Sequence, residues 1–600
     1  MSFVAELKRR KVFKVGAAYL VAAWVLVQVA SIGFPAFDAP PWALRVFILL
    51  SLLGFPVALV LAWVFDLTPE GMRLDPNVNG NKRVFAAASL FAVLALGWYF
   101  QGQPSFRKGD ASTPATYPVA AASAPKNSIA VMAFDDLSPA HDQEYFSDGM
   151  SEEILNALAR VKGLKVIGRS SSFEYKGKNV GAKQVGQALG VAHLLQGSVR
   201  RQGDKLRIIA SLVQTSDGTQ VWSQSYDGAL ADVFALQDSC AREIAAQLKV
   251  TLAAGDLVAK ASDSPQAYAL FVEAQTLVNR RFGDSLPRAV ALLKQATAID
   301  PKFARAWSKQ AVAYAVLAEY SGDDWAQNWK LSDAAAKRAL ALDPNDAEAY
   351  AAISYNAFSQ RRYVDMVEPM RRAVELDPEN VAVAFWASNE TAAMGRTAAT
   401  KARLDDTLAR DPHNKLLLFY QSFMLWRLHD AAGSGEMLRR IGNDEYPYAL
   451  MMRSWHSAAA GDADKAVAQQ LSAYKQAPGE MTPAELETTF RGVFQGGAQK
   501  PAALKVLDAH PDNGWIPTLL LYLGEPARSF AAFENGHTGL SDSYLNWLWQ
   551  PEAWSQKARQ DPAFQGFAKR IGMVDYWKRY GWPDLCTPAP DKGPDAFTCR

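Results

Sequence analysis

Two hydrophobic patterns divide the chain. Residues 15–34, 46–65 and 84–100 are runs of twenty, twenty and seventeen residues without a charge. A hydrocarbon core takes about 20 apolar residues per helix, with about 17 as the lower limit, so all three predict transmembrane helices. Pro56 inside the second run predicts a kink. No small-residue cleavage site follows the first run and a second run does, which disfavours a signal peptide. From residue 127 the apolar positions become shorter and periodic. SIAVMAF (128–134) and LKVIG (164–168) read as buried strands, the first as an edge strand. SEEILNALARV reads as a helix capped by Ser147 or Asp148, with Ile154, Leu155, Leu158 and Val161 on one face. VGAKQVGQALG (180–190) reads as a short helix. AHLLQGSVRR, KLRIIASLVQT and TQVWSQSYD read as three strands joined by hairpin loops at 202–204 and 216–218. A helix over 231–249 completes a β-α-β-α-β-β-β-α unit, a small α/β domain spanning residues 127–250.

Beyond it the prolines keep time. Asp-Pro recurs at Pro301, Pro344, Pro378 and Pro412, spaced 43, 34 and 34 residues apart, and Pro447, Pro478 and Pro511 continue the series. A period near 34 marks paired helices stacked into a solenoid, the tetratricopeptide-repeat (TPR) pattern. Each proline ends a second helix because it cannot continue the hydrogen-bond ladder. The nine extra residues of the long interval fall in AEYSGDDWAQNW (318–329). Small residues let the helices of a pair approach: Ala289, Ala296, Ala339, Ala373, Gly461, Ala466 and Ala473 are predicted repeat-packing positions. Trp307 and Tyr314, seven apart, share a groove. Thr400 and Thr407 stand where alanines are usual.

The fold class is therefore multidomain: N-terminal transmembrane helices, a small α/β domain and a C-terminal all-α TPR solenoid. The domains are a membrane module over 1–100, a flexible Pro/Ala/Ser/Thr-rich linker over 101–126, the α/β domain over 127–250, helical repeats over 265–514, and a C-terminal helical cap and tail over 515–600. The aromatic density of that last segment suits a cap for the terminal repeat's apolar face.

Charge adds an orientation. Lys8, Arg9, Arg10, Lys11, Lys14, Arg73, Lys82 and Arg83 flank one side of the spans; Arg45, Arg107 and Lys108 flank the other. Eight cations against three place the N-terminus in the cytoplasm and, with three crossings, residues 101–600 outside it. If 84–100 does not cross, the large region lies on the cytoplasmic side. The whole chain balances 63 Lys+Arg against 61 Asp+Glu, which argues against a nucleic-acid polycation. Three cysteines in 600 residues exclude a disulfide-dense or multi-zinc protein. Cys586 and Cys599, thirteen apart in an otherwise cysteine-poor chain, suggest one disulfide worth about 2–4 kcal/mol. Cys240 suits a buried thiol.

Candidate chemistry is sparse. Asp135 and Asp136 follow a strand, where a metal-binding pair could sit, though a solvated loop explains them better. Glu152 and Glu153 point about 100° apart on a helix and suit its N-terminal dipole better than acid–base work. Arg169, Arg200 and Arg201 could form an anion patch or a solvated sheet face. The glycines at 177, 181, 186 and 190 match no phosphate-binding spacing, and neither HExxH, GxSxG nor a Walker sequence occurs. No catalytic residue, metal ligand or cofactor is predicted.

FVAELKRRKVFKVGAAYLVAAWVLVQVA and LGFPVALVLAWVFDLTPEGM resemble the membrane module of bacterial membrane-anchored TPR proteins. IAVMAFDDLS, EYFSDGMSEEILNALARVKGLKVIGRSSSFEYKGK, LLQGSVRRQGDKLRIIASLVQT and YDGALADVFALQDSCAREIA resemble the TolB-N-terminal-like, or FlgO-like, domain of the same proteins. DPAFQGFAKRIGMVDYWKRYGWPDLC resembles their tail. The resemblance implies a multi-pass inner-membrane protein with a periplasmic TPR array. Relatives carry a class III cyclase or a winged-helix domain ahead of this unit, and residues 1–14 are too short for either. The resulting expectation is a non-catalytic scaffold or adaptor that takes protein partners in its TPR groove and the lipid bilayer at its N-terminus, without nucleic acid. The alternatives are a signal-transducing receptor whose α/β domain binds a small ligand or peptide, and, more remotely, an adenylate-cyclase-like enzyme.

Overall fold

A computed structural model describes residues 124–140, 142–250, 261–280, 284–320, 325–442, 446–474, 481–536 and 541–600. Before these it describes scattered helical positions between Tyr19 and Phe55 and the backbone of one hairpin. The chain divides into two compact units, residues 1–116 and 117–600.

In the first unit, β1 (Phe65–Thr68) and β2 (Gly71–Leu74) form an antiparallel hairpin. Residues 21–28 are helical and expose Val21, Trp24, Val25 and Leu26. The Tyr19 hydroxyl donates to the Ser51 carbonyl at 2.8 Å. Among the described residues no helix is long and apolar enough to cross a membrane. Half of the span predicted at 15–34, most of that at 46–65, all of that at 84–100, and most of the linker lie outside the described residues.

The small α/β region opens the second unit. Its elements are β3 (Ser128–Val131), β4 (Asp135–Asp136), α1 (Glu144–Ala159), β5 (Lys165–Ile167), α2 (Arg169–Phe173), α3 (Ala182–Leu189), β6 (His193–Gln202), β7 (Lys205–Gln214), β8 (Gln220–Ala229) and α4 (Val233–Gln247). The sheet runs β5-β3-β6-β7-β8. β3 is parallel to both neighbours, whereas β6, β7 and β8 are antiparallel. Thus β3 is a central strand, not an edge, which explains why all four of its residues are buried. Ile129, Leu195, Val199 and Ile208 face the apolar sides of α1 and α4; Ala130, Ile167 and Leu194 meet Val185 and Leu189 of α3. The predicted cap of α1 is displaced. Ser147 and Asp148 lie inside the helix, buried, because it starts at Glu144. The preceding backbone is held by Asp136, whose carboxylate accepts from the amides of Ser138 and Gln143 at 2.8 Å each.

Sixteen helices in antiparallel pairs follow, a TPR-like all-α repeat region. They are α5 (Pro265–Arg280) and α6 (Ser285–Ile299), α7 (Ala304–Tyr320) and α8 (Trp325–Leu342), α9 (Ala347–Ser359) and α10 (Tyr363–Leu376), α11 (Val381–Ala393) and α12 (Thr397–Arg410), α13 (Lys415–Arg427) and α14 (Ala431–Ile441), α15 (Pro447–Ala459) and α16 (Ala463–Tyr474), α17 (Pro483–Gln495) and α18 (Lys500–Ala509), α19 (Ile516–Tyr522) and α20 (Pro526–Asn535). First helices of successive pairs touch one another (α7 with α9, α9 with α11, α13 with α15), so they line the inner side of the curve.

Sequence fixes the turns. α6, α8, α10 and α12 each stop two residues before Pro301, Pro344, Pro378 and Pro412. Three of these turns then start the next helix with a side-chain cap. Asp346 accepts from the Ala349 amide, Asn380 from Ala382 and Val383, and Asn414 from Leu416 and Leu417. Pro478 lies outside the described residues. Pro447 opens α15 instead of ending a helix, where its missing N–H costs nothing. The long interval is absorbed as helix: α7 and α8 have 17 and 18 residues against 13 and 14 in α9 and α10.

Ala289, Ala296, Ala339, Ala373, Ala466 and Ala473 are buried between helices, as is Tyr314. Gly461 differs. It sits in the α15–α16 turn at φ +82° with open space where a Cβ would point, so its role is conformational rather than packing. Thr400 and Thr407 replace alanine without an orphaned hydroxyl, donating to the carbonyls of Arg396 and Arg403 one turn back.

The C-terminal region does more than cap. Residues 516–535 add a further helix pair, so the array runs past residue 514. Then α21 (Ser541–Trp547), α22 (Ala553–Gln560), α23 (Pro562–Arg570), α24 (Met573–Tyr580) and the hairpin β9 (Cys586–Pro588) with β10 (Phe597–Cys599) fold back to the middle of the array. α21 lies against α9, α11 and α19, and α24 lies against α10. A terminal cap would touch only the last pair.

Candidate protein-interaction site

The inner face of a helix-pair array is its usual recognition surface. Here that face carries groups foreign to a plain apolar core. From α11 comes Asn389, and from α13 Tyr420, Phe423, Trp426 and Arg427; Trp455 comes from α15 and Tyr522 from α19. Each is at most 9% exposed except Tyr420, which is half-buried. What buries them is the chain's own residues 544–554.

Trp547 of α21 packs its ring 4.8 Å from Phe423, 5.2 Å from Tyr522 and 6.1 Å from Trp455, centroid to centroid. Trp554 adds contacts to Trp455 at 5.4 Å and Tyr522 at 4.9 Å. These edge-on and tilted packings suit the quadrupoles of the rings. Polar contacts set the register. Asn546 donates to Asn389 Oδ1 at 3.0 Å, which also accepts from the Tyr420 hydroxyl at 2.9 Å. Arg427 donates to Asn546 Oδ1 at 2.8 Å and to the carbonyls of Asn546 and Ala392. The Trp426 indole donates to Glu552 Oε1 at 2.7 Å. Trp549 reaches the α11–α12 turn and donates to the Ala393 carbonyl at 2.8 Å. There Gly395, at φ +78°, leaves room that a Cβ would fill: it would stand 2.6 Å from Pro583 and 2.9 Å from Trp549.

Buried charges on this face, in the tail that covers it and in the helix pair behind it are poorly neutralised. Burial pushes Glu390 up to about 8, with Ser354 Oγ donating to it at 2.8 Å. Burial pushes Arg427 down to about 9, and Arg559, which donates to the carbonyls of Leu548 and Gln550, down to about 10. Burial also raises Glu552.

A second contact lies at the opposite end of the helix pairs. The α/β region meets α5, α7 and the α12–α13 turn through opposite charges. Arg305 of α7 forms two hydrogen bonds to Glu153, at 2.8 and 2.7 Å. Burial would raise the Glu153 carboxyl, but the Arg305 charge and hydrogen bonds hold it below the usual range. Asp411 accepts from the Ser171 amide at 2.8 Å and from its hydroxyl; Ser171 Oγ accepts from the His413 amide. His413 Nδ1 stands 2.8 Å from Glu174.

The other sequence candidates are dispersed. Glu152 and Glu153 lie deep in α1, not at its N-terminus. Glu152 pairs with Arg169 at 2.9 Å. Arg201 donates to Gly203 and Gln143, and Arg200 is exposed, so the three arginines meet different partners. Asp135 and Asp136 form the short strand β4 on β6. Among the described residues no group of three or more His, Cys, Asp or Glu could hold a metal ion. Trp307 donates to the Pro301 carbonyl, Trp325 and Trp329 pack on each other, and Trp386 stacks on Tyr355. Burial pushes the Cys240 thiol up to about 12, which keeps it from acting as a thiolate. Cys586 and Cys599 are bonded across β9 and β10. Sequence reading missed Asn389, Glu390, Arg427 and Asn546. Arg427 carried a signal, a charge closing the largely apolar run 416–426; Asn389, Glu390 and Asn546 stand among other polar residues and carried none.

No protein-family profile matches the chain. A Rhizobium meliloti (strain 1021) protein named "Putative adenylate cyclase 3" is 40% identical over 184 residues, 30% of this chain and 31% of that protein. The chain therefore spans about a third of the curated relative it matches. Among solved structures, pilF of Pseudomonas aeruginosa overlays at a TM-score of 0.28 and 18% identity, covering 36% of this chain and 92% of pilF. YrrB, "a TPR protein with an unusual peptide-binding site", gives 0.22 and 16% over 33% of this chain and 92% of YrrB. The P58(IPK) TPR domain gives 0.17 and 13% over 58% and 95%. These overlays are low, and the repeat architecture stands on the chain's own helix pairs and their period.

Proposed function

We propose that the chain is a non-catalytic scaffold or adaptor, anchored in the bacterial inner membrane, whose helix-pair array takes protein partners. The observation that carries this reading is the inner face. Its aromatic, amide and guanidinium groups already grip the chain's own residues 544–554, two helix ends and the turn between them, by side chain and backbone, as a partner would be gripped. Anchoring is supported by the three uncharged runs and by Val21, Trp24, Val25 and Leu26, half of the exposed large apolar side chains among the described residues. The Cys586–Cys599 bond favours an oxidising compartment, hence residues 101–600 in the periplasm. In this reading the α/β region is a TolB-N-terminal-like (FlgO-like) domain, as its motifs suggest.

The test has two arms in intact cells. A photo-reactive residue at Leu428 or Ile299, the exposed apolar positions of the array, gives discrete intermolecular adducts; none at either position ends the scaffold reading. A C-terminal reporter that works only outside the cytoplasm is active; activity only of a cytoplasmic reporter ends the topology.

The name of the Rhizobium relative favours a second reading, a nucleotide cyclase. Against it, Asp136 spends its carboxylate on two backbone amides. Cyclase activity of the purified chain that is lost in Asp135→Asn would restore it.

A further inference from the structure

We propose that the inner face between α11 and α19 is a docking site for an acidic, tryptophan-bearing segment of a protein partner, with residues 544–554 as the chain's own weaker occupant. This rests on the scaffold reading and names the partner's chemistry.

Arg427 carries the inference. Its side chain is buried, and its hydrogen bonds go to the Ala392 carbonyl, to the Asn546 carbonyl and Oδ1, and weakly to the Met424 sulfur. The guanidinium also lies over the Phe423 ring at 4.8 Å. None of these partners is a carboxylate, and Nε has no partner at all. The nearby Asp584 acts on it only through space. A buried guanidinium with no carboxylate in hydrogen-bonding contact is a costly arrangement, and a carboxylate is the group its planar fork fits best. Asn546 holds the place of that carboxylate as a neutral isostere. Asparate at that position would face Asn389 Oδ1, and turning the Asn389 amide, with the Tyr420 hydroxyl then accepting, accommodates it.

The rest of the seam shows the same incompleteness. Six buried side-chain polar atoms here make no hydrogen bond: Arg427 Nε, Trp455 Nε1 and Tyr522 OH on the face, and Gln550 Oε1, Glu552 Oε2 and Trp554 Nε1 on the segment that covers it. A well-evolved permanent core satisfies such groups. A face that accepts a better ligand in exchange for a provisional one leaves them open. The indole requirement follows from Trp547, whose ring fills the space between Phe423, Trp455 and Tyr522.

The experiment uses the full chain in detergent and two fluorescent peptides of residues 541–556, one as in the chain and one with Asn546→Asp. By anisotropy the Asp peptide binds at least tenfold more tightly than the Asn peptide, and Arg427→Met in the chain removes the difference. Equal binding of both peptides, or binding of neither, overturns the proposal. Because Arg427→Met could unsettle the fold, hydrogen exchange on the unaltered chain gives a second reading. With the Asp peptide in excess, 541–554 lose protection while α17 and α18 keep theirs; exchange of 541–554 only with global unfolding overturns it. A dimer that exchanges this segment and resists the Asp peptide assigns the site to a second copy instead, and also overturns it. Failed peptide binding with adducts still present at Leu428 removes this site alone, whereas tight peptide binding without cellular adducts removes the scaffold reading.

Discussion

The array is gripped at both ends of its helix pairs, and the two grips work by different physics. At the proline turns and α5–α7, the α/β region meets it through ionised and hydrogen-bonding side chains: Glu153 pairs with Arg305, and Glu174 stands against His413. At the opposite turns and the inner face, three arginines of the array donate chiefly to backbone carbonyls. Arg361 reaches Phe533, Glu534 and Gly536; Arg396 reaches Tyr580; Arg427 reaches Ala392 and Asn546. Inside the tail itself, Arg559 likewise reaches Leu548 and Gln550. The first contact is neutralised and tunable by pH. The second is desolvated, aromatic and incompletely satisfied. Two domains can thus share one scaffold without sharing a mode of failure.

The largest break should come at the aromatic seam. Trp549→Ala empties a site that is 1% exposed and orphans the Ala393 carbonyl, costing about 3–5 kcal/mol in urea unfolding. The charged joint comes next. Arg305→Ala leaves Glu153 buried and unpaired, and about 3 kcal/mol is expected, discounted because the Arg305 side chain is 36% exposed. Arg305→Met with Glu153→Leu recovers much of that loss. Glu153 is held below its usual 4.5. Its contribution is therefore complete above that value and is lost as pH falls through the lower folded value.

Cys599→Ser should cost about 2–3 kcal/mol from a thirteen-residue closure, read by thermal unfolding against the disulfide-bonded parent, and nothing against the reduced parent. Glu390 sharpens the contrast by acting in the opposite sense. Its carboxyl is pushed from 4.5 up to about 8, so the folded state keeps a proton the unfolded state loses. Stability falls as pH rises across that window, and Glu390→Gln should gain about 2 kcal/mol near pH 7 and nothing near pH 4. The smallest effect belongs to the turn: Gly461→Ala, forced to φ +82°, should cost about 1 kcal/mol.

Local features of the array were legible, and long-range ones were not. Proline and alanine positions report helix ends and close helix contacts, both set within one repeat. The Asp-Pro-x-Asp/Asn signature was readable too: in 343–346, 377–380 and 411–414 the fourth residue caps the next helix. The start of α1 was not, because the amide of its flanking residue Gln143 is held by Asp136 on another element. Nor was the fold-back of the tail. Asn389 and Asn546 meet across 157 residues, and no local pattern encodes such a pairing. Aromatic density over 515–600 showed only that the tail buries a large apolar surface, not that this surface lies against the middle of the array.

The central claim is that the chain's own residues occupy its inner face. A photo-reactive phenylalanine analogue at Trp547, irradiated in the full-length chain and mapped by mass spectrometry, tests it most directly. The account predicts intrachain links to Phe423, Trp455 or Tyr522. Links only to residues outside α9, α11, α13, α15 and α19, or none at all, would contradict it.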